Sequence, residues 1–271
     1  MAATNDASFT RRTVLASAGA GAGAAALGGT PALAQTGQPR TFVLVHGAWH
    51  GGWCWRRVAD LLEKKGHKVF VPTMIGLGAC SHMMSKDINL TTHITDIANL
   101  IKWDDLSDIV LVGHSYGGFI ISGVAEQVGD KIGSIVFLDA FYPDSGDSLA
   151  SASSQPVREA IAAATARGEI ALKPVPAAVF RVNEKDRAWV DGKCTPHPMG
   201  TLTDKIAHAG AREKIAKKTY IRAKGYPSVP FDAALEKIKA NSAWKTFEMI
   251  AGHDAMVDQP QELTDILLQV A

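Results

Sequence analysis

From residue 41 onward the chain alternates short apolar, β-branched runs with longer stretches whose apolar positions recur at helical spacing. Thr41 to Val45 is the first run and ends at a His-Gly pair. Trp55 to Lys65 follows, with Val58, Leu61 and Leu62 on one helical face, and Lys68 to Val71 is strand-like again. Leu90 to Ile101 predicts a helix with Thr91 or Thr92 as its cap. Asp108 to Val112 and Ile132 to Phe141 predict buried strands on either side of an apolar helix from Tyr116 to Val128. Lys218 to Ala223 and Trp244 to Ile250 predict two more strands. A helix near 232 to 240 separates them, and a closing helix covers Gln261 to Val270. Apolar strands alternating with amphipathic helices predict an α/β fold, a mostly parallel central sheet with helices on both faces.

Residues 143 to 215 break this rhythm. They hold an Ala/Ser-rich run, the proline-studded Lys173-Pro174-Val175-Pro176, and Cys194-Thr195-Pro196-His197-Pro198. Helix is predicted for 157 to 167 and for 201 to 217, so the segment reads as a small helical cap inserted over the sheet.

Composition narrows the function. Of 271 residues, 46% are hydrophobic and 20% charged, which excludes a wholly disordered chain and a collagen-like one. The first thirty-four residues carry only Asp6, Arg11 and Arg12 as charges. Subtracting them from 28 basic and 27 acidic residues leaves 26 of each, a neutral body with no Lys/Arg block for nucleic acid. A small-molecule partner is expected instead. The opening segment sets Arg11-Arg12 before a weakly apolar Ala/Gly stretch, residues 14 to 29, then Ala32-Leu33-Ala34 at a cleavage position. Residues 1 to 34 thus resemble a twin-arginine signal peptide, which predicts export to the periplasm or beyond and a mature chain of 35 to 271. The stretch is too short and glycine-rich for stable membrane insertion. Cys54, Cys80 and Cys194 form neither a zinc pattern nor a disulfide framework and are read as buried free thiols. The pattern leaves a homodimer open.

Four features carry chemistry. Gly113-His114-Ser115-Tyr116-Gly117 directly follows Ile109-Val110-Leu111-Val112 and opens an apolar helix. A nucleophile on such a turn needs small neighbours so that the chain can double back, and it is lifted above the carboxyl edge of the sheet. The strand Phe42-Val43-Leu44-Val45 runs into His46-Gly47-Ala48, where a backbone amide can join that of Tyr116 as oxyanion donors. Met249-Ile250-Ala251-Gly252-His253 places a histidine in a loop after the last strand, free to reach Ser115 as a base. The acid that orients it is Asp139, closing the apolar strand 134 to 138, with Asp232 as the alternative. A carboxylate ending an apolar run needs a partner.

At these residues the chain resembles the α/β-hydrolase superfamily, and within it the plant methylesterases, hydroxynitrile lyases and related bacterial esterases. FVLVHGAWHGGWCW (42 to 55), GHKV (66 to 69), VLVGHSYGG (110 to 118) and GHDAM (252 to 256) carry the likeness. It implies Ser115 as nucleophile, His253 as base and the amides of Ala48 and Tyr116 as oxyanion donors. In that family the acid usually follows the strand that here reads Thr219-Tyr220-Ile221-Arg222-Ala223. No carboxylate stands close behind it, which favours Asp139.

The expected activity is hydrolysis of small apolar carboxylic esters through an acyl-enzyme, with no metal or cofactor. Trp49, Trp53, Phe141 and Tyr142 are the expected pocket walls, and His46, His50, His82 and His93 show no ligand spacing. Two alternatives stand beside it. The lyases carry a lysine after the histidine, where this chain has Asp254, whose charge would repel a developing anion. They also carry a threonine on the oxyanion strand, which here reads Val45-His46-Gly47-Ala48. A small-ligand receptor on the same fold is the non-catalytic alternative.

Overall fold

The computed structural model describes residues 38–271, so the expected leader and its cleavage position lie outside the described residues. The chain begins with β1 (Thr41–Val45), α1 (Arg56–Lys64), β2 (Lys68–Phe70), α2 (Leu90–Trp103), β3 (Ile109–His114), α3 (Gly117–Val128) and β4 (Ile132–Leu138). An excursion follows with α4 (Leu149–Ala152), α5 (Gln155–Ala166), β5 (Ala171–Leu172), α6 (Glu184–Asp191), β6 (His197–Pro198) and α7 (Met199–Thr203). The chain returns through β7 (Lys217–Ala223), α8 (Val229–Lys239), β8 (Trp244–Met249), α9 (Ala255–Asp258) and α10 (Pro260–Val270).

Six strands form one sheet in the order β2-β1-β3-β4-β7-β8, every pair parallel. β3 is buried at every position, and β1 and β4 nearly so, while the edge strands β2 and β8 are partly exposed. Consecutive buried residues point to opposite faces of a strand, so both faces of the sheet centre are covered. α1 packs with α10, and α2 with α3. Within the excursion, β5 and β6 make a short antiparallel pair.

Several elements differ from the sequence expectation for identifiable reasons. Asn89, not Thr91 or Thr92, caps α2. Its side chain accepts from the Thr92 amide at 2.9 Å, and the Thr92 hydroxyl accepts from the Asn89 amide, a reciprocal capping box. β4 ends at Leu138 because Asp139 turns left-handed, with φ 42°. The helix expected over 201 to 217 is only α7 and one 3-10 turn, Ala211–Lys214. Its middle bonds elsewhere: the Ile206 amide donates to Asp147 O, and Ile206 O accepts from Gly146. α8 starts earlier than expected, at Val229, with Pro230 in its first turn, where a fixed φ suits a helix start. All three cysteines are free as expected, yet only Cys54 is buried; Cys80 and Cys194 are half-buried. No helix among the described residues is long and apolar enough to cross a membrane.

Candidate active site

The strand order reverses between β1 and β3, since the chain goes from β1 outward to β2 and then crosses back to β3. Loops leaving the carboxyl ends of such neighbours diverge and open a crevice. Here the two loops are 46–51 and the turn at Ser115. They are in intimate contact: a Cβ added to Gly47 would lie 2.9 Å from both Ser115 Cβ and His114 Nδ1. Ser115 has φ 54°, a left-handed conformation that costs a non-glycine residue on the order of 1 kcal/mol or more. Its own backbone is tied down to hold it there. The Ser115 amide donates to Leu138 O, and Ser115 O accepts from Gly118 and Phe141. The turn closes only because its neighbours lack side chains; a Cβ on Gly113 would meet Gly117 O at 2.6 Å.

From the other strands two groups converge on the serine hydroxyl. Ser115 Oγ lies 2.9 Å from His253 Nε2, and His253 Nδ1 lies 2.6 Å from Asp139 Oδ2. The hydroxyl therefore donates to Nε2 while Nδ1–H donates to the carboxylate, one continuous hydrogen-bonded chain. Asp139 is fully buried, and its other oxygen accepts from the Ala223 amide at 3.1 Å and from Arg222 Nη1 at 2.7 Å. Arg222 sits in β7 with its side chain almost wholly buried, so a cation in the sheet answers a carboxylate at the neighbouring strand end. Asp232 does not approach the imidazole. It accepts from Arg222 Nε and Lys224 Nζ, both at 3.0 Å, on the solvent side.

Three aromatic rings, two from the 226–231 stretch and one from the excursion, pack around His253. Phe231 stacks on it at 5.3 Å between centroids, Tyr226 lies at 4.8 Å and Phe180 at 5.3 Å. Phe180 belongs to the excursion and also accepts the His253 amide on its carbonyl. Trp49 packs 6.0 Å from Phe180 and is fastened to the excursion three times: its amide to His197 Nδ1, its indole to Leu172 O, and its carbonyl from the Thr195 amide. Ser115 is only 9% exposed under this cover. Among the described residues, neither the Ala48 nor the Tyr116 amide is engaged by a protein acceptor.

The sequence matches the family described as "Alpha/beta hydrolase family" over residues 42–266. The chain belongs to that family. It is 40% identical over 235 residues to the "Carbendazim hydrolyzing esterase" of Nocardioides sp. (strain SG-4G), covering 83% of this chain and 97% of the relative. It is 37% identical over 123 residues to "Methylesterase 2" of Arabidopsis thaliana, where the match spans 41% of this chain and 43% of the plant protein. Among solved structures, an extracellular alpha/beta-hydrolase from a Paenibacillus species superposes with a TM-score of 0.76 at 26% identity. That superposition covers 86% of this chain and 99% of the Paenibacillus protein.

The hydrolase departs from the sequence expectation in its pocket walls and in the role of Asp254. Tyr142 is turned away from the histidine. It lies under Arg212, 3.7 Å from its ring, and lines a separate polar cleft with Asp144, Glu213, Lys237 and Trp244. Phe141 backs the site by packing on Phe231, and Trp53 stacks on His50 at 5.3 Å. Asp254 is fully buried and accepts from His50 Nε2 at 3.0 Å, so its carboxylate is engaged by that ring rather than presented to an anion beside Ser115. Arg222, Phe180, Tyr226, Phe231 and the His50–Asp254 pair were not singled out from sequence. Arg222 carried half a signal, a charge in an apolar strand, but its partner Asp139 follows only from the pairing of β4 with β7. Phe180 carried none, because irregular chain gives no periodicity to read.

Proposed function

We propose that this hydrolase is a serine carboxylic-ester hydrolase for small apolar esters, working through an acyl-enzyme. Ser115 Oγ attacks the ester carbonyl as His253 Nε2 takes its proton. The C–O π bond becomes an oxyanion, held by the amides of Ala48 and Tyr116 with the N-terminus of α3 behind it. His253 then returns the proton to the departing alkoxide, leaving the acyl group on Ser115. Water repeats the sequence, and the acid leaves with the serine restored. Asp139 keeps the proton on Nδ1 in the resting state and balances the imidazolium that forms in each step; Arg222 holds Asp139 in turn.

The observation that carries this reading is the hydrogen-bonded chain Ser115–His253–Asp139, at 2.9 and 2.6 Å, on a left-handed turn at the carboxyl edge of the sheet. The esterase and methylesterase names of the relatives support the same reaction, as do the aromatic walls. The lyase alternative lacks its lysine, whatever the charge of Asp254. Export fits the Arg11-Arg12 leader and the extracellular Paenibacillus neighbour.

The experiment is release of p-nitrophenol from short acyl esters, with methyl esters and carbendazim in the same panel. Ser115→Ala is expected to lower kcat by about 10⁴ or more while leaving the circular dichroism spectrum unchanged. A folded Ser115→Ala protein with near wild-type turnover removes the mechanism. Wild-type protein that releases no alcohol from any ester, yet gains thermal stability with one of them, supports the receptor alternative.

A further inference from the structure

Six histidines are fully or almost fully buried around the crevice, besides His67, His82 and His208 elsewhere: His46, His50, His93, His114, His197 and His253. Their hydrogen-bond partners set their protonation, because carbonyls and carboxylates only accept and amides only donate. His46 accepts from the Met74 amide on Nε2 and donates from Nδ1 to Gly47 O, which makes it neutral. His197 accepts from the Trp49 amide on Nδ1 and donates from Nε2 to Thr201 Oγ1. His93 donates from Nε2 to Ile75 O and accepts from the Tyr116 hydroxyl. His114 donates from Nε2 to His253 O, and its Nδ1 has no partner. Each of these needs one ring proton.

His50 is different. Its Nδ1 lies 2.7 Å from Ala48 O and its Nε2 lies 3.0 Å from Asp254 Oδ2, so both nitrogens face acceptors. The two bonds join three parts of the site. Asp254 is the residue after His253. Ala48 supplies one of the two proposed oxyanion amides. Between Ala48 and His50 stands Trp49, with φ 64°, a strained conformation for a bulky side chain and one the Nδ1 bond spans. We propose that His50 is a permanently charged imidazolium, paired with Asp254, and acts as a positioning residue that fixes the oxyanion loop against the loop carrying His253. This role rests on the ester-hydrolase reading above.

The surroundings agree with that charge. Burial by itself opposes protonation of His50, but the Asp254 carboxylate, followed by the Cys194 thiol 4.0 Å away, lifts it well above the ordinary imidazole value. Trp53 stacks on the ring and offers its π face to a cation. The other groups that face it are His114, whose ring lies 6.2 Å away, and His46 and His197, all neutral by the bonding above. The pair thus carries no net charge, which is why two ionised groups are tolerated at this depth.

The decisive measurement is long-range ¹H–¹⁵N correlation on histidine-labelled wild-type protein, which reads ring protonation without reference to activity. His50 is expected to show both nitrogens protonated from pH 6 to 8. A single protonated nitrogen at pH 7.5 overturns the proposal. In Asp254→Asn the ring is expected to be neutral at pH 7.5, and kcat on a p-nitrophenyl ester to fall about 10²-fold, the scale of a misplacement near 1 Å, with KM within about threefold. His50→Gln is expected to fall by a similar factor, and the double variant no further, since both remove one link. Additive losses, or a folded variant with unchanged kcat, overturn the positioning role while the charge assignment is judged by the spectrum alone. Failure of the catalytic reading itself is distinguishable, because it shows as turnover that survives Ser115→Ala.

Discussion

Asp139 and Asp232 both bond to Arg222, and only Asp139 also reaches the imidazole. That difference makes the two carboxylates separable by one atom each. Asp139→Asn keeps the shape but offers an amide where Nδ1–H must donate, so the histidine loses the tautomer that accepts the serine proton. If Asp139 orients His253 as proposed, turnover on p-nitrophenyl esters falls about 10⁴-fold with KM little changed. Asp232 is nearly half exposed, and Asp232→Asn removes a charge from its contacts with Arg222 and Lys224 without touching the bonds that reach His253. Its kcat is expected within about tenfold of wild type. The reverse ranking would transfer the acid role to Asp232. Asp139 was legible in the sequence because a carboxylate closing a run of buried residues has to be answered by something. The answer itself was not legible, since Arg222 belongs to a strand seventy-odd residues later and only the parallel pairing of β4 with β7 sets them side by side. The pairing of His50 with Asp254 was hidden for the same reason: neither residue points to the other in the sequence, and their contact spans 204 positions.

At the scale of elements, what the sequence announced best was the strand, turn and helix around Ser115, because its constraints are local. Glycines there stand where backbone meets backbone. A Cβ on Gly118 would fall 2.0 Å from Phe141 O, and backbone, unlike a side chain end, has nowhere to swing. Gly118→Ala is expected to cost on the order of 2–3 kcal/mol, read as a lower urea midpoint, and to displace the turn enough to depress activity. Gly129, at the other end of the same helix, is the control. It has right-handed helical geometry, φ −57°, and open space where a Cβ would go. Gly129→Ala is expected to raise stability by about 0.4–1 kcal/mol through the unfolded chain alone, with activity unchanged. Equal effects from both would mean that crowding at the elbow is not what fixes it. The excursion between β4 and β7 was the least legible part. α6 and the β5–β6 pair have too few residues to show a period, and the 201 to 217 stretch exchanged its helical bonds for pairing with residues 146 and 147.

Across the whole molecule, the buried histidines set how the fold responds to acid. Burial is the largest cause in each case: it lowers His46 to about 3 and His93 to about 4, and it holds His114 and His197 well below the ordinary value of 6.5. In the unfolded chain all four titrate near 6.5, so below that pH the unfolded state binds more protons than the native one. Their contribution to stability is therefore complete above pH 6.5 and is lost as pH falls toward their folded values, at about 1.4 kcal/mol per pH unit for each. Acid destabilisation should begin more than two pH units above the range where carboxylates alone would start it. His50 works in the opposite sense. Its folded value is raised by Asp254 against the burial that opposes it, so its contribution is complete below pH 6.5 and is lost as pH rises toward that value. One histidine set against four gives a stability maximum close to pH 6.5 to 7, a steep acid side and a shallow alkaline one. Urea midpoints measured from pH 4 to 9 check this directly, and a flat plateau from pH 8 down to 4.5 would contradict it. The same series on Asp254→Asn isolates the alkaline side: with the carboxylate gone, His50 has no reason to hold its second proton, and the decline above pH 7 should disappear while the acid slope persists.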